Sequence, residues 1–93
     1  MRKNIPDIRD ILFARLHAAS GKTVSYHHKV STHIGAGDIA LLAFIQVLND
    51  TPGFSEDGLS LVPGDIKRKP NVAELLGAIF RDYTSRGWDL YHD

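Results

Sequence analysis

The chain contains no cysteine, which excludes a disulfide framework, a thiolate metal site and a cysteine nucleophile. It also lacks a charge surplus of either sign, since eleven basic residues cancel eleven acidic ones. Long-range attraction to nucleic acid or an anionic membrane is therefore missing, and only local patches are left to act. No apolar run approaches the ~20 residues of a membrane span. The start Met1-Arg-Lys-Asn-Ile-Pro6 has no signal-peptide apolar core. A soluble, cytoplasmic protein outside the membrane is the expectation. Repeats, low-complexity tracts and linkers are absent too, so residues 1–93 read as one domain.

What is present is an ordinary globular composition, 43% hydrophobic and 24% charged. A chain this short buries only roughly 60–65% of its unfolded surface, so a partner would add useful stability. A near-neutral surface also does little to keep copies apart.

Periodicity suggests the elements. A helix over about Pro6–Ser20 has a capping oxygen in Asn4, an apolar stripe through Ile8, Ile11, Leu12 and Leu16, and a stop at Gly21. Residues Thr23–Ile34 alternate: Val24, Tyr26, His28, Val30, Thr32 and Ile34 against Thr23, Ser25, His27, Lys29, Ser31 and His33. A period of two predicts a long β-strand. A second helix from Asp38 through Leu48 is interrupted only by Gln46. Apolar on nearly all sides, it demands cover on nearly all sides. Leu59–Val62 reads as a short strand before the Pro63-Gly64 turn. Asn71 and Glu74 then announce a capping box for a helix carrying Val72, Leu75, Leu76, Ile79, Phe80 and Tyr83. Trp88–Tyr91 reads as a closing strand. The expected fold is α+β: three helices on a small, mostly antiparallel sheet, in the order α-β-α-β-α-β.

Three candidate sites emerge. Gly35-Ala36-Gly37, with Lys29, sits between an expected strand and a helix start, where backbone N–H groups can receive an anion. Asp38 is itself a good N-cap and would compete for those donors. Lys67-Arg68-Lys69 is the only basic run, and without interleaved aromatics it favours a solvated loop over nucleic-acid binding. Tyr26, His28, Leu41, Phe44, Ile45 and Leu48 form the candidate association surface, from the strand and the over-apolar helix. The histidines scatter: His27 and His28 point to opposite faces of a strand, and His27 and His33 would lie roughly 20 Å apart. No metal or cofactor is therefore expected. No G-x-S-x-G, H-E-x-x-H or P-loop spacing occurs, so no catalytic residue is assigned.

Residues 71–83 resemble the second helix of ribbon-helix-helix DNA-binding proteins. That family joins its helices by a short turn, whereas residues 49–70 separate them here. Residues 41–63 with the last helix resemble colicin nuclease immunity proteins, but Leu61 and Val62 stand where that family carries paired tyrosines. Neither resemblance assigns a family. The expected role is non-catalytic protein–protein association, as a homodimer or with an unidentified protein partner. The alternatives are a nucleic-acid-binding regulator and a small-ligand or anion-binding protein.

Overall fold

A computed structural model describes residues 1–93. The elements are β1 (Arg2–Asn4), α1 (Ile5–Ser20), α2 (Ser31–Ile34), α3 (Asp38–Asn49), a 3-10 turn (Pro63–Asp65), α4 (Val72–Ser85) and β2 (Asp89–Tyr91). This overturns the expected α+β order. Four helices dominate, and the only sheet is a parallel pair, β1 with β2, in the register Arg2↔Asp89, Lys3↔Leu90, Asn4↔Tyr91. The strand expected at the chain's end is thus present, but it joins the two termini.

The largest correction concerns residues 23–34. They bend at Tyr26–His28, where the His28 N–H bonds Ser25 O at 3.1 Å, and then coil into α2. The buried residues here are Val30 and His33, three apart, with Ile34 half-buried beside them. That is helical spacing. The alternation of polar and β-branched residues mimicked a strand, but burial follows the i, i+3 pattern instead. The backbone groups freed by the bend find partners on the next layer. Tyr26 O and His28 O accept from Ala73 and Val72, each at 2.9 Å, and the Val30 N–H donates to Pro70 O at 3.0 Å.

Helices α1 and α4 form as the stripes imply. Ile8, Leu12 and Leu16 are buried from α1, and Val72, Leu75, Leu76, Ala78, Ile79 and Tyr83 from α4. Gly21 ends α1 in a left-handed conformation (φ 70°), its N–H on His17 O. Asn4 makes no capping bond and its Oδ1 is buried without a partner. Gly53 turns the chain at φ 94°, a left-handed conformation that strains any residue with a Cβ. The expected strand at Leu59–Val62 is irregular. Its backbone is claimed by a side chain, because the Asn49 amide donates to Leu61 O at 3.0 Å and accepts from Leu61 N–H at 2.9 Å. No helix is long and apolar enough to cross a membrane.

Both halves of the α4 capping box are made: Asn71 Oδ1 accepts from the Glu74 N–H at 2.8 Å, and Glu74 Oε1 accepts from the Asn71 N–H at 3.0 Å. Asn71→Ala removes one side of this exchange and is expected to cost about 1 kcal/mol. Urea melts should show that loss as a lower midpoint with an unchanged slope.

Candidate functional site

Helix α3 carries apolar residues on two faces, and the fold covers one of them. Phe44, Ile45 and Leu48 are buried, and Leu41 packs against the same cluster. Three of the four α3 residues expected on an association surface are therefore core, and Leu41 is half-buried against them. The outer face holds Ile39, Leu42 and Val47, which are 83%, 48% and 43% exposed, with Ala43 and Gln46 among them. Positions 39, 42, 43, 46 and 47 follow the i, i+3, i+4, i+7, i+8 pattern of one continuous stripe. No charge interrupts α3 between Asp38 and Asp50. At the C-terminal end the Asn49–Leu61 bonds set exposed Val62 beside the helix. The excess of apolar residues in α3 was legible; which face stays uncovered depends on tertiary packing.

Tyr26 and His28, the other two expected association residues, have local roles. Tyr26 is exposed and leans on Phe13, with ring centroids 5.1 Å apart. His28 is half-buried and faces His33.

At the N-terminus of α3 the structure brings Lys29, Gly35, Ala36 and Gly37 together around a cleft of about 320 Å³. Val30, Ile34, Leu41 and Pro70 supply its apolar lining, and Ser31, Asp38 and Lys69 add polar groups. Gly37 (φ 108°, ψ 158°) is the N-cap of α3 and occupies a conformation essentially closed to other residues. Asp38 is instead the first helical residue and makes no capping bond. The leading N–H groups of α3 thus have no side-chain cap. Lys29 Nζ donates to Lys69 O at 3.2 Å, bridging the cleft's two basic residues, and Lys69 is the one non-glycine residue with positive φ.

The basic run does not act as one patch. Lys67 Nζ pairs with Glu74 Oε2 at 2.9 Å, Arg68 is exposed, and Lys69 joins the cleft. The Asn71 N–H and the Lys67 ammonium hold the Glu74 carboxyl below its ordinary range.

His33, which the strand reading sets with His27 on the face toward solvent or a partner, is the buried histidine, at 4% exposure. Its Nδ1 lies 2.7 Å from Ser20 Oγ and its Nε2 3.2 Å from His28 Nδ1. A serine, a histidine and an orienting second histidine superficially match a nucleophile–base arrangement. Ser20, however, is fully engaged. Its hydroxyl donates to Leu16 O at 3.2 Å while Oγ accepts from the Lys22 N–H at 3.1 Å, leaving one lone pair for His33. Neither that cleft nor the pocket beside Ile11 and Arg15 is lined by Ser20, His28 or His33. The chain of bonds ties α1 to α2, and burial is the main cause that lowers the His33 pKa, with His28, Lys22 and His17 adding to it. No group of three or more metal-binding side chains converges.

No protein-family model, curated protein or solved structure matches this chain.

Proposed function

We propose that this is a cytoplasmic, non-catalytic association protein that pairs with a second copy of itself through the outer face of α3. The observation that carries the reading is the uncovered stripe Ile39–Leu42–Ala43–Val47, with Ile39 83% exposed. The stripe is also self-complementary. Ile39 and Val47 stand four positions either side of Ala43, so an antiparallel crossing at Ala43 sets Ile39 of one copy near Val47 of the other. A two-fold interface requires this reciprocity. The small side chain at the midpoint lets the helix axes approach to about 8 Å. Zero net charge adds no repulsion. One three-turn helix with Val62 makes a modest interface, so the pairing is reversible and rises with concentration. Sedimentation equilibrium should therefore give a mass climbing from 10.3 kDa toward twice that value. A strictly single-chain mass up to millimolar concentration overturns the reading.

A second reading is favoured by one observation: Asp38 leaves the α3 N-terminus uncapped beside Lys29 and Lys69. A small ligand with an anionic head and an apolar body would fit this cleft. Titration with butyrate should shift the Gly37, Asp38 and Ile39 amides, and the double variant Lys29→Ala, Lys69→Ala should weaken binding several-fold. Unmoved amides at tens of millimolar butyrate would dismiss it.

A further inference from the structure

The bonds around His33 leave little freedom for protons. Ser20 Oγ, already donating to Leu16 O and accepting from the Lys22 N–H, needs a proton on His33 Nδ1. His33 Nε2 is then an acceptor, and His28 Nδ1–H must be the donor across 3.2 Å. A first added proton is accommodated on the outer Nε2 of His28, and every bond survives. A second proton has only His33 Nε2 to go to. Two N–H groups would then face each other, each on a charged ring, in a site where His33 is 4% exposed.

The surroundings offer no compensation. The groups acting on His33 are His28 from the loop, Lys22 from the turn after α1 and His17 from α1. Each is a base or a cation. His27 adds a further imidazole edge-on to His28, with centroids 5.6 Å apart. No titratable group of α3 or α4 acts on it.

We propose that Ser20, His28 and His33 form a pH-sensitive latch. While the two rings carry at most one added proton between them, it clamps α2 and residues 21–30 to the end of α1; a second added proton releases them. Residues 21–34 also supply Lys29, Val30, Ser31 and Ile34 to the cleft wall and accept bonds from the start of α4. Release therefore loosens the cleft and the docking of α4 together, while the outer face of α3 is on another element.

The depressed His33 pKa fixes the sign. The unfolded chain binds the proton more readily, so the latch is fully closed above about pH 6.5 and weakens as pH falls from there through the folded-state value. The test is a pH series on the ¹⁵N-labelled full chain, following the His33 ring by NMR and amide hydrogen exchange at Ile34, Gly35, Val72 and Ala73. His33 should titrate below 6.5, and protection at those amides, once corrected for intrinsic exchange, should fall by up to about tenfold per pH unit from about pH 6.5 and level off below the His33 midpoint. In His28→Gln the amide can donate to neutral His33 or, turned over, accept from the protonated ring. The His33 midpoint should move up, and the loss of protection in that window should disappear. A wild-type midpoint at or above 6.5 overturns the proposal. So does protection that keeps its full value down to the His33 midpoint, or the same pH dependence in both proteins. If His28→Gln does not fold, the levelling of protection at the His33 midpoint in the wild type decides alone.

Discussion

Leu42→Glu is expected to leave the protein folded and to abolish its self-association. Leu42 is 48% exposed on the outer face of α3 and is not among the buried core residues. Surface substitutions of this kind change stability by no more than about 0.5 kcal/mol. In a two-fold pair the same substitution enters twice, next to Ala43 at the crossing point, and places two carboxylates in an apolar seam. At about 2 kcal/mol for each buried, unpaired charge, the dissociation constant should rise roughly a thousandfold. The signature is a monomeric mass at every concentration with an unchanged melting temperature. Phe44→Glu, two positions on, provides the contrast: Phe44 is 6% exposed, so that variant should unfold. A Leu42→Glu protein that still sediments as a pair would remove the stripe from the interface.

What could be read from the residues alone follows from how local each determinant is. Helices α1 and α4 carry their own instructions, in a stripe at 3.6-residue spacing, a glycine stop after α1 and a reciprocal cap before α4. Residues 23–34 carry conflicting ones. Val24, Val30 and Ile34 suit a strand as well as a turn, and the choice was made by long-range bonds to Pro70, Val72 and Ala73. His33 was misplaced for the same reason: once the chain coils, it moves from the wet face to the inner one. The cleft was half legible. Gly35-Ala-Gly37 marks a turn, but Asp38 does not cap, because the helix starts one residue earlier than a cap at that position requires. The loop 51–62 was misread, since the strand expected at Leu59–Val62 does not form. It is held by Lys3, Tyr83, Asp82 and Arg86, each more than twenty residues away in sequence.

That loop is the setting for the largest expected loss of stability, from Asp57→Ala. Asp57 Oδ2 accepts from Tyr83 OH and pairs with Lys3 Nζ, both at 2.7 Å, and Arg86 donates to Asp57 O. Tyr83 is the largest fully buried side chain, with its ring between Phe54 and Trp88. Lys3 belongs to β1, so this one carboxylate joins the terminal sheet, the loop and α4. Removing it leaves the buried Tyr83 hydroxyl only a long bond to Gly53 O, at 3.4 Å, and leaves Lys3, whose side chain is only 20% exposed, without its counter-charge. Breaking a buried pair costs about 3–5 kcal/mol, and the residual exposure of Lys3 places the expected loss near the lower end, about 3 kcal/mol. For a domain of this size that lowers the melting temperature by roughly 12–24 °C. Asp57→Asn, which keeps an acceptor for Tyr83 but not the charge, should lose about half as much. The pH dependence separates the charge from the contact. Burial works against the Asp57 carboxylate, but the bonds from Lys3 and Tyr83 and the Arg86 charge hold its pKa below the ordinary value. Its contribution is therefore complete above about pH 4 and lost as pH falls through the depressed value. Both variants should flatten that acid limb. An acid limb as steep in Asp57→Ala as in the parent would mean that another carboxylate carries it.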